Sequence, residues 1–131
     1  METKAVDFVQ YTVDDLDVSL PFYRDTLGLH LEKHLEEHGW AEFAVPPTTL
    51  ALREAEADER PGVSDGGAAV ALAVDDVGAA TEELREEGAS VLQEPVDTGV
   101  CVIATVSDPD GNSLLLHCRH DGTHGRTDSL P

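Results

Sequence analysis

The chain has 131 residues, 40% of them hydrophobic, and this length predicts one domain that buries about two thirds of its unfolded surface. Its 27 acidic residues outnumber the 8 basic ones and leave a net charge of −19 at pH 7. A nucleic-acid partner is not expected, because such binding requires Lys and Arg side chains to neutralise phosphates. Nor is this the composition of a disordered acidic chain, since too much of it is apolar.

Other features of the composition bear on where the protein works. The sequence has neither an apolar run of about 18 residues nor a charged-then-apolar leader, so we expect a cytoplasmic protein with no membrane partner. Its two cysteines, Cys101 and Cys118, do not form a disulfide framework. Dense acidity with Lys4 and Lys33 as the only lysines is typical of proteins from salt-accumulating organisms. The alternative is an acidic mesophile protein that its charge keeps soluble.

The first half of the chain is predicted to fold as a strand, a helix and three more strands. Alternation predicts the first strand over residues 6–13, and Asp15 is expected to cap a helix that Gly28 ends. The three later strands are predicted over His30–Leu35, Trp40–Val45 and Thr49–Arg53.

The second half repeats this order after a polar linker at residues 54–67. A strand is predicted from Val70, followed by a helix that Asp75 and Asp76 cap and Gly88 ends. The remaining strands are predicted over Val91–Gln93, Cys101–Val106 and Ser113–Cys118. Residues 120–131 have little to bury and are expected to form a loose tail.

The stretch DPDGN (108–112) is predicted to form a hairpin turn. Asp108 is suited to bonding the backbone ahead of it, Pro109 fixes φ, and Gly111 tolerates the closing geometry. A calcium loop was the alternative, but it requires Gly at the sixth position and Glu at the twelfth. Here Gly111 is the fourth residue and Arg119 the twelfth, so the turn is favoured.

An internal repeat relates the two halves. Val13-Asp14-Asp15-Leu16 matches Val74-Asp75-Asp76-Val77, each at the junction of a strand and a helix. One copy cannot cover both faces of its own sheet. Pairing two copies around a cavity, with the helices outside, solves this and predicts an α+β fold.

The segments VDDLDVSLPFYRDTLGL (13–29), VDDVGAATEELREEGA (74–89) and DPDGN resemble the vicinal oxygen chelate superfamily. That family includes glyoxalase I, extradiol dioxygenases and bleomycin-resistance proteins. The resemblance implies two paired βαβββ modules that form a half-open barrel, commonly completed in a homodimer.

On this basis residues 1–131 form a single domain. It comprises a module at 5–53, a linker at 54–67, a module at 68–119 and the tail at 120–131.

The resemblance also assigns four metal-binding positions, which fall on Phe8, Ala51, Ala69 and Leu115. None has a side chain that binds a divalent cation. Shifting the alignment by two residues on the same strand face gives Gln10, Arg53, Ala71 and His117, of which two are possible ligands and one is a cation. We therefore expect no metal and no other cofactor.

Strand alternation extends this face to a set of residues expected to line the cavity. They are Phe8, Gln10, Trp40, Glu42, Ala51, Arg53, Ala69, Ala71, Cys101, Ile103, Thr105, Leu115 and His117. A mainly apolar lining with a few polar groups is typical of a small-molecule pocket. The alternative is a packed core without a pocket.

Two of these residues are candidates for chemistry. His117 is the candidate catalytic residue, as a proton shuttle, although a lone strand histidine is more often structural. Arg53 is a candidate for holding a ligand carboxylate or phosphate; its alternative role is an ion pair with Glu42. Reactivity is not expected of either cysteine.

The spacing His34-x-x-Glu37-His38 matches that of some zinc peptidases. That chemistry requires a helix, whereas Gly28 has just ended one. Leu31 and Leu35 are expected to share a strand face opposite His34, so the segment is interpreted as an exposed strand.

The sequence thus predicts a metal-free protein that binds a small organic molecule. The alternative is a metal-dependent lyase, isomerase or dioxygenase related to glyoxalase I, with non-standard ligands. A non-catalytic interaction subunit is a third possibility, and the sequence leaves open whether any reaction is catalysed.

Overall fold

The computed structural model describes residues 2, 4, 7–59 and 69–125. The chain divides into two units, Met1–Gly62 and Val63–Pro131. Each unit is a βαβββ module with one four-stranded sheet. The predicted α+β class and the internal repeat are confirmed.

Unit 1 (Met1–Gly62) has the strand order β1-β4-β3-β2, in which β1 runs parallel to β4 and the other pairs are antiparallel. Its strands are β1 (Val9–Val13), β2 (His30–Leu35), β3 (Trp40–Val45) and β4 (Thr48–Glu54). A cis Pro46–Pro47 peptide bond lies in the turn between β3 and β4. The predicted start of the first strand, at residue 6, lies outside the described residues.

The helix of unit 1 changes type in its middle. The Asp15 side chain accepts a hydrogen bond from the Asp17 N–H and caps α1 (Leu16–Pro21). Pro21 has no N–H to donate, and a π-helical segment, Phe22–Thr26, follows it. Gly28 then takes a φ of 73°, the left-handed conformation predicted from its place after the helix.

The core of unit 1 lies between its helix and one face of its sheet. Tyr23 and Phe43 are fully buried with ring centroids 5.9 Å apart. Strand alternation adds Tyr11, Leu50 and Leu52, all at most 7% exposed. The side chains between them point to the opposite face.

Unit 2 (Val63–Pro131) has the strand order β5-β8-β7-β6, with β5 parallel to β8 and the rest antiparallel. Its elements are β5 (Val70–Ala73), α2 (Val77–Glu86), β6 (Ser90–Asp97), β7 (Cys101–Ser107) and β8 (Ser113–Arg119). Helix α2 packs on β6, β7 and β8. The buried residues of this unit include Leu72, Leu84, Ala104, Val106, Leu114 and Leu116. No helix in the described part of the chain is both long and apolar enough to cross a membrane.

The turn before β8 has the predicted form. Asp108 is only 4% exposed, and its Oδ1 accepts hydrogen bonds from the Asp110 and Asn112 N–H groups at 2.9 and 2.8 Å. Its Oδ2 accepts one from the Asn112 side-chain amide at 2.8 Å. Gly111 takes a φ of 89°. Both oxygens of this carboxylate therefore stabilise the turn itself.

Two segments differ from the prediction in extent. Strand β6 runs over Ser90–Asp97, whereas only its first part was predicted. Within the predicted tail, the His120 N–H donates to the Val100 carbonyl, and its imidazole lies 2.9 Å from an Asp97 oxygen. These contacts tie the start of the tail to the sheet.

Candidate functional site

The face of each sheet that lacks a helix carries the predicted site residues. In unit 1 the strand register places Gln10 and Glu42 on either side of Ala51. Thr12 and Trp40 lie on either side of Arg53 in the same way. With Phe8, these residues form what we call the open face of unit 1. The predicted lining residues of the first module are thus neighbours.

The Trp40 side chain on this open face is held by contacts with Glu42 and Phe8. Its indole Nε1–H donates a hydrogen bond to Glu42 Oε2 at 2.7 Å, which fixes the ring beside the carboxylate. The Phe8 and Trp40 rings form a T-shaped pair, with centroids 5.7 Å apart and an interplanar angle of 90°. Phe8 is still 49% exposed. The three side chains leave an aromatic surface with one carboxylate next to it.

Arg53 is bound within its own unit. Its guanidinium donates to both carboxylate oxygens of Glu59, at 2.8 and 2.6 Å, and to Thr12 Oγ1 at 3.2 Å. The Arg53 hydrogen bonds, together with the Glu56 N–H, lower the pKa of Glu59 to about 2. The alternative role considered for Arg53, an ion pair with Glu42, is not found: Arg53 pairs with Glu59, which follows β4 closely enough to fold back, while Glu42 accepts from Trp40.

The corresponding face of unit 2 is apolar and has small side chains along one edge. Ala71 lies beside Leu115, which in turn lies beside Thr105. Ala73 lies beside His117, and His117 beside Ile103. Ala69, Ala71 and Ala73 are exposed, and the longer side chains are half-buried. We call this set, with Cys101, the open face of unit 2.

Val96 was missed by the sequence analysis. It lies opposite Ile103 at the edge of the open face of unit 2 and is 42% exposed. Pro95 and the acidic residues around it argued against a strand. The pairing of β6 instead accommodates them with two register shifts. An isolated apolar Val after a proline was the only available signal.

A cavity of about 570 Å³ surrounds the end of β8. It is lined by Ala73, Val74, Asp75, His117, Cys118, Gly122, Thr123 and His124. His117 therefore borders an open cavity, whose other lining residues are not those predicted for the barrel interior. The last three lining residues were missed because they belong to the predicted tail, and no periodicity marks them.

The two cysteines lie on different strands, each in contact with a neighbour in its own unit. Cys101 and Cys118 are both free and half-buried. Cys101 Sγ lies 3.2 Å from Thr98 Oγ1, and Cys118 Sγ donates to the Asp75 carbonyl at 3.5 Å. Both behave as small polar side chains in contact with their own unit.

The four positions that the resemblance assigns to a metal lie at or near the first and last strands of the two units. Phe8 precedes β1 and Ala51 lies in β4; Ala69 precedes β5 and Leu115 lies in β8. None of these side chains has a nitrogen, oxygen or sulfur atom to donate. In the described ranges, no group of three or more His, Cys, Asp or Glu side chains is placed to bind a metal ion. The residues at these four positions therefore do not fit a chelated metal.

The two histidines with the peptidase-like spacing do not lie on an α-helix. His34 lies in β2 and His38 in a single 3₁₀ turn, Glu36–His38, and both are exposed. A bulge between Leu31 and Lys33 places Leu31 opposite Phe43 but Leu35 opposite Trp40. The prediction that the two leucines share a face was wrong for that reason.

Comparison with known proteins agrees with this architecture. The model of the Glyoxalase/Bleomycin resistance protein/Dioxygenase superfamily matches residues 5–116. A lactoylglutathione lyase from Haemophilus influenzae is 37% identical over 112 residues, covering 78% of this chain and 83% of that protein. One from Escherichia coli O157:H7 is 34% identical over 123 residues, covering 86% and 91% respectively.

Among solved structures, TnmS3, an antibiotic binding protein from Streptomyces sp. CB03234, is 31% identical with a TM-score of 0.74. The match covers 91% of this chain and 98% of that one. The chain therefore belongs to the Glyoxalase/Bleomycin resistance protein/Dioxygenase superfamily. This is the family predicted from the three sequence motifs.

Proposed function

We propose that this protein binds and sequesters a small organic molecule without using a metal ion. One feature of the chain carries the proposal: the four positions that the family resemblance assigns to metal ligands are Phe8, Ala51, Ala69 and Leu115. Phe8 and Ala69 are exposed and Leu115 is half-buried, so these three side chains supply contact area but no coordination, and the buried Ala51 has no ligating atom either.

The composition of the two open faces supports this function. Unit 1 contributes the Phe8 and Trp40 rings, which offer large apolar surfaces to a ligand. Unit 2 contributes exposed alanines at 69, 71 and 73, which leave space above the sheet. The similarity to an antibiotic binding protein at 31% identity points to the same kind of ligand, an organic molecule rather than a macromolecule.

A thermal-shift screen with small aromatic compounds tests this proposal. Ligands that bind the native state raise the melting temperature, by an amount set by their concentration and dissociation constant. Ala71→Trp should abolish the shift by filling the space on the open face of unit 2. Ala79→Trp, at an exposed position on α2, makes the same change away from the face and should leave the shift intact. Equal shifts in both variants would contradict the proposal.

His117→Ala separates two modes of binding. The His117 ring lies at a cavity of about 570 Å³. If it hydrogen-bonds the ligand, the variant should lose part of the thermal shift, whereas a purely apolar contact predicts little change.

A lyase is the second candidate, because curated relatives with 34% and 37% identity are lactoylglutathione lyases. This reading requires metal ligands that the four positions do not supply. Formation or loss of lactoylglutathione, followed by its thioester absorbance with and without added Ni²⁺ or Zn²⁺, tests it directly. Metal-dependent turnover that survives purification would favour the lyase.

We further propose a homodimer that works in the cytoplasm without binding nucleic acid. Exposed apolar side chains at Leu92, Val96 and Val100 support a partner surface. The excess of acidic residues supports the absence of a nucleic-acid partner.

A further inference from the structure

We propose that the open face of unit 1 selects a ligand that is both aromatic and positively charged, such as a flat ring bearing a protonated amine. This inference rests on the proposed binding function and names its ligand class. It reverses the expectation that Arg53 would hold a carboxylate or phosphate.

Arg53 is already paired with a carboxylate of its own unit. Its guanidinium is held by the two oxygens of Glu59 in a fork-like pair and also donates to Thr12. An anionic ligand would have to displace Glu59, whose Oε1 also accepts a hydrogen bond from the Glu56 N–H at 2.8 Å. The positive charge of Arg53, which was expected to bind an anionic ligand, is therefore already neutralised by Glu59.

Glu42, by contrast, keeps its negative charge available on the open face of unit 1. This half-buried carboxylate accepts from the Trp40 indole, and no ion pair to it is found in the described residues. Lys33 lies opposite it on β2, but its ammonium group forms no ion pair with Glu42. A carboxylate has about four lone-pair positions, so Glu42 retains acceptor capacity for a ligand N–H.

The Trp40 ring lies beside this carboxylate. Indole is the best of the aromatic side chains at attracting a cation over its face. The hydrogen bond from Nε1 to Glu42 places negative charge at the ring edge and fixes its orientation. A cationic ligand thus meets two attractive groups in one place, and an anionic ligand meets a repelling one.

The experiment uses three probes with the same ring and different charge: 1-naphthylmethylammonium, 1-naphthalenemethanol and 1-naphthoate. Trp40 is the only tryptophan, so its indole N–H gives a single NMR resonance that reports binding at this face. Titrations in about 1 M KCl suppress the non-specific attraction of cations to a chain of net charge −19. We expect the ammonium probe to bind about five-fold more tightly than the alcohol, and the carboxylate probe most weakly.

Paired variants assign the preference to its residues. Glu42→Gln should remove the advantage of the ammonium probe, whereas Glu86→Gln, which makes the same change at an exposed position on α2, should preserve it. Glu59→Gln should release Arg53 and strengthen binding of the naphthoate about three-fold. Adding Arg53→Met to that variant should cancel the gain.

The outcomes separate this inference from the proposed function. If the naphthoate or the alcohol binds as tightly as the ammonium probe, or if Glu42→Gln and Glu86→Gln behave alike, the ligand class is wrong while the binding function stands. If none of the three probes shifts the Trp40 resonance, the binding function at this face fails as well.

Discussion

Asp108 shows how a single buried carboxylate can be structural. It is 4% exposed, and its oxygens accept three hydrogen bonds within the turn that launches β8. The bonds go to backbone and side-chain amides at most four residues away. They stabilise the DPDGN corner, which positions the strand carrying Leu115 and His117.

Asp108→Ala should lower the free energy of unfolding by about 1 to 2 kcal/mol, because it leaves the half-buried N–H groups of Asp110 and Asn112 without their acceptor. Urea denaturation measures this change. Asp58→Ala is the control: it removes the same charge from an exposed turn and should change stability by less than about 0.5 kcal/mol. Equal effects would show that charge repulsion, not the turn, determines the loss.

At the level of elements, β4 is joined to the segment that follows it by the Arg53–Glu59 ion pair. The pKa of Glu59 falls from 4.5 to about 2, chiefly through its hydrogen bonds from Arg53. A group with a lowered pKa in the folded state stabilises the protein above its unfolded pKa. That contribution is lost as the pH falls through the folded value.

The difference in melting temperature between the wild type and Glu59→Gln should therefore be largest above pH 4.5 and should disappear as the pH approaches 2. Comparing the two proteins at each pH cancels the general relief of charge repulsion in acid. A difference that stays constant from pH 6 to pH 2 would contradict the role given to this pair.

The repeating elements were predictable because local rules determine them. Asp15 and Asp76 cap their helices through side-chain oxygens, and Gly28 ends the first helix. The π-helical segment was not predicted, since it follows from the way the chain continues past Pro21 and not from apolar spacing. Strand β6 was predicted too short because its register shifts leave no alternation to detect.

The candidate site was predictable as a face but not as a set of contacts. Alternation brings Gln10, Ala51 and Glu42 together across three strands, as expected. The partners of Arg53 and Glu42 depend on rotamers and on a segment after β4, neither of which the strand pattern encodes. Residues 122–124 line a cavity only because turns fold them back toward β8.

For the whole molecule, the dominant charge is the net −19. Like charges repel over a Debye length of about 30 Å at 0.01 M salt and about 3 Å at 1 M, so salt removes most of this penalty. The melting temperature should rise steeply with KCl. A value that stays flat from about 0.05 to 2 M would contradict the salt-adapted interpretation.

A homodimer is also predicted at this scale. Leu92 and Val100 are 56% and 74% exposed, and covering such side chains favours self-association. Light scattering at micromolar protein in high salt should give the mass of two chains. Leu92→Glu should lower that mass, whereas Glu87→Gln, at an exposed position after α2, should not. A one-chain mass for the wild type would contradict the prediction.

Elemental analysis of the purified protein tests most directly the proposal that ligand binding needs no metal. Because Phe8, Ala51, Ala69 and Leu115 stand at the four positions that the family resemblance assigns to a metal, we expect no stoichiometric zinc, nickel, iron or manganese in the protein. A chelator should leave its melting temperature unchanged, because only a ligand bound to the native state adds stability. About one divalent metal per chain, lost together with activity when His117 or Gln10 is replaced, would contradict the account and favour an enzyme.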